Sequence, residues 1–72
     1  MIKTVVVKEM NQIRNIVGVA NRYEDEIGVH DAEGAIADAK SILGLMSLDY
    51  TRPVRLVSEN AHGIEDILRA LN

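Results

Sequence analysis

The apolar positions of this chain change period several times, and each change marks an element. Ile2 to Val7 ends in an unbroken β-branched run, which predicts a strand. From Met10 to Tyr23, apolar residues Ile13, Ile16, Val17, Ala20 and Tyr23 recur at spacings of three and four, one face of a helix. Gly18 weakens that helix by about 1 kcal/mol relative to alanine, and Glu24-Asp25-Glu26 is a polar exit from it. Ile27 and Val29 then alternate with Gly28 and His30, the period of a strand. Asp31-Ala32-Glu33-Gly34 is turn chemistry, with Gly34 able to take a positive φ. Ala35, Ala37 and Ala39 alternate with Ile36, Asp38 and Lys40, predicting a return strand whose small face lets a helix pack close. Ser41 is a good N-cap for a short helix, Ile42 to Leu48. Asp49 to Arg52 is a loop, and Pro53 opens a strand to Ser58, where its missing N–H does least harm. Asn60 caps a last helix with Ile64, Ile67, Leu68 and Leu71 as its apolar stripe, Leu68 being expected against the sheet. Glu65 and Asp66 fall in that helix's early turns, where its dipole favours anions.

The order is therefore β-α-β-β-α-β-α over a single domain, residues 1–72. One sheet with helices on one face, an α+β arrangement, is the economical way to bury amphipathic helices. Hydrophobic residues make up 47% and charged residues 26% of the chain, which argues against disorder. With no cysteine there is no disulfide, thiolate metal site or thiol nucleophile. A small secreted domain usually needs such staples, so a cytoplasmic location is expected. No apolar run approaches a membrane span, and Met1 to Lys8 is too short and interrupted for a signal peptide. The net charge is −3, and Tyr23 and Tyr50 are the only aromatics. Both features disfavour nucleic acid, which is bound by basic patches and stacking rings.

The run Lys40-Ser41-Ile42-Leu43-Gly44-Leu45-Met46-Ser47-Leu48 resembles the segment around the regulatory serine of HPr, the histidine-containing phosphocarrier of the bacterial phosphotransferase system. Ala20, Tyr23 and Ile27 agree with that family's exit from its first helix, and Gly34 with its hairpin glycine, one residue later in the turn. The resemblance implies an open-faced β-sandwich with four antiparallel strands in the order 1-4-2-3. It also implies a phosphoryl-accepting histidine at the start of the first helix, followed two residues on by arginine and then proline. Here that stretch is Glu9-Met10-Asn11-Gln12, with Glu9 near the histidine position. The nucleophile and its neighbouring cation are both missing. A serine-regulated relative that lacks the histidine and acts through partners is a known variation in the family, and the chain resembles it.

The resemblance makes Ser41 a candidate phosphorylation site as well as a cap. A phosphate would add about −1.5 to −2 charge at a helix start. Lys40 could screen it, and Ile42, Leu43 and Met46 would form an exposed docking patch. Glu9 reads as an ordinary acidic residue at a helix start rather than a phosphate mimic, since a carboxylate carries less charge. His30 reads as a surface hairpin residue and His62 as the start of the last helix; neither has metal-ligand spacing, so no metal or cofactor is expected.

These readings converge on a non-enzymatic interaction module, a monomer or weak homodimer. Its expected partners are proteins: a serine kinase, a phosphotransferase component or a transcription regulator. One rival is a phosphocarrier that uses His62 or His30. Another is a small ligand-binding or dimerisation domain sharing only the architecture.

Overall fold

The computed structural model describes residues 1–71. Its elements are β1 (Ile2–Val5), α1 (Met10–Ala20), β2 (Gly28–His30), β3 (Ile36–Asp38), α2 (Ile42–Met46), β4 (Val54–Val57) and α3 (Ala61–Leu71). The four strands form one antiparallel sheet in the order β1-β4-β2-β3. This is the order and the α+β open-faced architecture that the resemblance implies.

Every strand is shorter than its apolar run. β1 stops at Val5, so Val6 is exposed while Val7 turns into the core. α1 ends at Ala20, capped by Asn21, and Tyr23 lies beyond it. α2 ends at Met46, where the Ser47 hydroxyl donates to the Gly44 carbonyl at 2.7 Å and closes the last turn.

Register decides which side of the sheet is buried. Leu56, Val29 and Ala37 stand in one row across β4, β2 and β3, and Leu56 and Val29 are fully buried. Against this side lie Ile13, Ile16, Val19 and Ala20 of α1, Leu45 of α2, and Ile64 and Ile67 of α3. Asn60 Oδ1 accepts from the Gly63 N–H at 3.1 Å, as a cap should. Gly63 is itself buried, and a Cβ there would meet Ile27 Cδ1 at 3.2 Å, so the helix approaches the β2 entrance closely. The apolar stripe of α3 is centred on Ile64 and Ile67. Leu68, expected against the sheet, is only half-buried, because it lies round the helix from the stripe's centre. Glu65 and Asp66 lie past the first turn; Asp66 takes the Tyr23 hydroxyl and pairs with Arg69, linking the α1 exit to α3.

Among the described residues nothing covers the opposite side of the sheet. Its rows are Ile2–Val57–Gly28–Asp38 and Thr4–Arg55–His30–Ile36.

Candidate functional site

Three short segments build the surface around Ser41. The first is β3 with its flanking residues, whose alternating alanines do what their size suggests. Ala39 is fully buried, and a Cβ on Gly44 would lie 3.5 Å from the Ala37 methyl, so α2 sits directly over the strand. The second is the end of α1, where Asn21 Nδ2 donates to the Val17 and Lys40 carbonyls at 2.8 and 3.3 Å. The third is the loop after α2, held from beneath.

Ser41 is exposed and has extended backbone angles, and its Oγ accepts from the Gly44 N–H at 3.1 Å. This is the predicted cap. Of the five residues of α2 only Leu45 is buried. Leu43 is 77% and Met46 54% exposed. Ile42 departs from the expected patch: it is half-buried and packs on the core, because a helix seated on β3 must turn one side of its first turn inward. Lys40 is half-buried, its N–H donating to Asp38 Oδ1 at 2.9 Å. The apolar surface beside Ser41 is thus Leu43 and Met46, with Ile42 at its root.

Asp31, read in the sequence only as a turn residue, anchors this surface. It is 3% exposed. Its Oδ1 accepts from the N–H groups of Glu33 and Ala35, each at 2.9 Å, and its Oδ2 from Asp49 N–H at 3.0 Å. One carboxylate therefore closes the β2–β3 turn and fastens the segment after α2 to it. The bonds to Asp49, Ala35 and Glu33 outweigh desolvation and hold its carboxyl below the usual aspartate value. Gly34 has φ +91°, as the turn requires. Tyr50 donates to the Leu45 carbonyl at 2.5 Å and satisfies the end of α2. Burial, with a smaller push from the Asp31 charge, raises its hydroxyl to about 12, so it remains a donor. The only sequence signal for Asp31 was an aspartate two residues before a turn backbone N–H, the spacing of an Asx turn.

The head of α1 is built differently. Glu9 is the N-cap residue, and Gln12 folds back so that its Oε1 accepts from the Lys8 and Glu9 N–H groups at 2.6 and 3.0 Å. The residues at this head are Glu9, Met10, Asn11 and Gln12; the two histidines are elsewhere. His30 ends β2, half-buried on the uncovered side of the sheet rather than in the turn. His62 sits in the first turn of α3 with its side chain 89% exposed and Glu65 at 3.9 Å. Among the described residues no three carboxylate or imidazole side chains gather as a metal site would need, and no helix is long and apolar enough to cross a membrane.

No protein-family model matches the sequence, and no curated protein does. Solved structures do. The crystal structure of HPr-C-His from Thermoanaerobacter tengcongensis superposes with a TM-score of 0.73 at 26% identity, over 99% of this chain and 85% of that one. The chain is HPr-like. A second solved structure, the phosphocarrier protein HPr from Bacillus anthracis str. Ames, gives a TM-score of 0.72 at 23% identity, over 99% of this chain and 92% of that one. Each likeness covers 99% of this HPr-like chain, so it extends over the whole fold.

Proposed function

We propose that the chain is a regulatory member of the phosphotransferase system that works by binding proteins through the Ser41–Met46 surface, not by carrying phosphate on histidine. The observation that supports this most is the pairing of Leu43 and Met46, both mostly in water, with an exposed serine at the head of their helix. Large aliphatic side chains are left in water where a partner covers them, and Met46 can adapt to different partners. Lys40, Ile42, Leu43 and Met46 form the contact. Ser41 is the switch. A phosphate on it brings charge to the patch edge, repelling an apolar or acidic partner and recruiting one that presents arginines. The absence of histidine at Glu9 and of a cation at Asn11 supports the non-carrier half of the reading. A serine kinase, a phosphotransferase component and a transcription regulator are the partner classes, and the location is the bacterial cytoplasm.

Capture of partners from a bacterial lysate on wild type, Ser41→Asp and Met46→Ala tests the proposal. Ser41→Asp keeps the cap, because aspartate is also a good N-cap, and should change which proteins are retained. Met46→Ala should retain less of all of them. Equal retention of the same proteins by all three refutes the assignment.

A further inference from the structure

The side of the sheet away from the helices is a second surface with its own chemistry. Ile36 is 67% and Ile2 59% exposed, at opposite edge strands, with half-buried Val57 between them on β4. Gly28 stands beside Val57 in the same row, and the His30 ring leans toward it, its Nε2 3.4 Å from where a Cβ on Gly28 would stand. The result is an open trough of about 840 Å³. Its end is fastened by Ser58, whose Oγ donates to the Glu26 carbonyl at 2.8 Å and accepts from Asn60 N–H at 3.1 Å. The same residue's N–H donates to the Met1 carbonyl at 3.1 Å, while the Met1 amine donates to its carbonyl at 2.7 Å.

Around this apolar floor stand Asp25, Glu26, Asp38 and Glu59, all exposed. Among the described residues none of the four is in an ion pair. The cationic groups nearest to this floor are the Met1 amine, which lines the trough and donates to the Ser58 carbonyl, and Arg55, which shares the next row with His30 and Ile36. Apolar floor and acidic rim together specify an occupant that is apolar in the middle and basic at its margins. They exclude nucleic acid and anionic lipid, which the rim repels. They disfavour a second copy, whose own net charge is −3.

The dimensions favour a helix. The row from Ile2 to Asp38 crosses three interstrand steps, about 14 Å, and a helix with its side chains is about 10–12 Å wide. Its arrival would complete a helix–sheet–helix sandwich, the usual way to cover both sides of a sheet. We propose that the uncovered face of the sheet docks a basic amphipathic helix of a partner protein, with its apolar stripe on Ile2, Val57 and Ile36 and its lysines or arginines against Asp25, Glu26, Asp38 and Glu59.

The test is a titration of isotope-labelled protein, followed by amide chemical shifts. The probe is a short designed helix with leucines at i, i+3 and i+4 spacing and lysines elsewhere. The same peptide with glutamate in place of lysine is the control. The lysine peptide should move Gly28, Ile36, Asp38 and Val57 and leave Leu43 and Met46 in place. The glutamate peptide should move none of them. The double variant Asp38→Lys, Glu59→Lys should melt as wild type does and bind the lysine peptide about tenfold more weakly, since exposed pairs each contribute up to about 1 kcal/mol. Ile36→Ser should weaken it while leaving the charges intact. The proposal is overturned if the lysine peptide moves only the α2 surface or nothing. It is also overturned if both peptides bind alike, or if the double variant binds the lysine peptide as wild type does. Shifts at Gly28 that depend on protein concentration alone would identify a second copy as the occupant, and larger shifts with anionic vesicles a membrane; either refutes it.

Discussion

The heads of α1 and α2 are both helix starts with extended cap residues, yet they leave different things in the open. At α1 a residue inside the helix, Gln12, reaches back and takes the Lys8 and Glu9 N–H groups, so its side chain is spent on the backbone. At α2 the cap is a single hydroxyl, and two large apolar side chains project past it into solvent. The first head is finished by its own residues, with Val6 and Met10 near it partly in water but not gathered on one short helix. The second is finished locally but presents an unburied surface. Function in a small domain is sought at the second kind of place, because an exposed aliphatic group costs free energy that binding recovers.

The largest effect that would break this comparison is phosphoryl transfer at the first head or at the two histidines. Incubated with phosphoenolpyruvate and the general enzyme of the system, the chain should take up no acid-labile phosphate. Labelling of His30 or His62 at carrier-like rates would remove the basis for the contrast. Next comes the core that α3 shares with α1. Ile67→Ala, at a fully buried site on α3, should cost about 2–5 kcal/mol in denaturant unfolding, and half-buried Leu68→Ala clearly less. Equal losses would show that α3 sits rotated from the orientation described.

Asp31 sharpens the comparison, because it supports the second head and not the first. Its carboxyl is held below its unfolded value, so its contribution is complete above about pH 4 and drains away as pH falls through the lowered value. Asp31→Asn should therefore lower the melting temperature at neutral pH, and the gap from wild type should shrink toward zero in acid. A gap independent of pH would mean that the carboxylate's charge is irrelevant. Ser41→Ala should cost about 0.5–2 kcal/mol through the lost cap. The smallest effect is that of Met46→Ala, within about 0.5 kcal/mol of wild type, because this side chain points into solvent. A large loss there would mean that the residue is core and the α2 surface is misassigned.

Much of this was legible in the sequence because period and punctuation agree. The 3.6-residue spacing of Ile13, Ile16 and Ala20, the glycine at position 34, and Ser41 and Asn60 before apolar runs each have a local physical cause, and each holds. Ends were less legible. Val6 and Val7 prolong the apolar run of β1, but strand length is set by pairing, and the pairing of β1 with β4 ends at Val5. Ile42 and Leu68 were misjudged for a shared reason: periodicity gives an apolar arc, whereas a residue's depth depends on how the helix rolls on its neighbours. Asp31 and Ser58 escaped because their bonds join segments far apart in sequence, Asp31 to Asp49 and Ser58 to Glu26. The acidic trough escaped for the same reason, since Asp25, Asp38 and Glu59 meet only through the register of three strands.

The position of β4 in the sheet has a consequence for how the chain is made. β4 alone joins β1 to the β2–β3 hairpin. Until residues 54–57 are available, β1 has no neighbour and the hairpin stands by itself, a unit marginal in water. A nascent chain that has emerged only as far as Pro53 therefore holds no stable half-domain, whatever its helices do. The sheet should close in one cooperative step once β4 emerges rather than in stages. A protease cut in the exposed Thr51–Arg52 segment should act as an off switch, because it frees the strand on which the rest of the sheet depends.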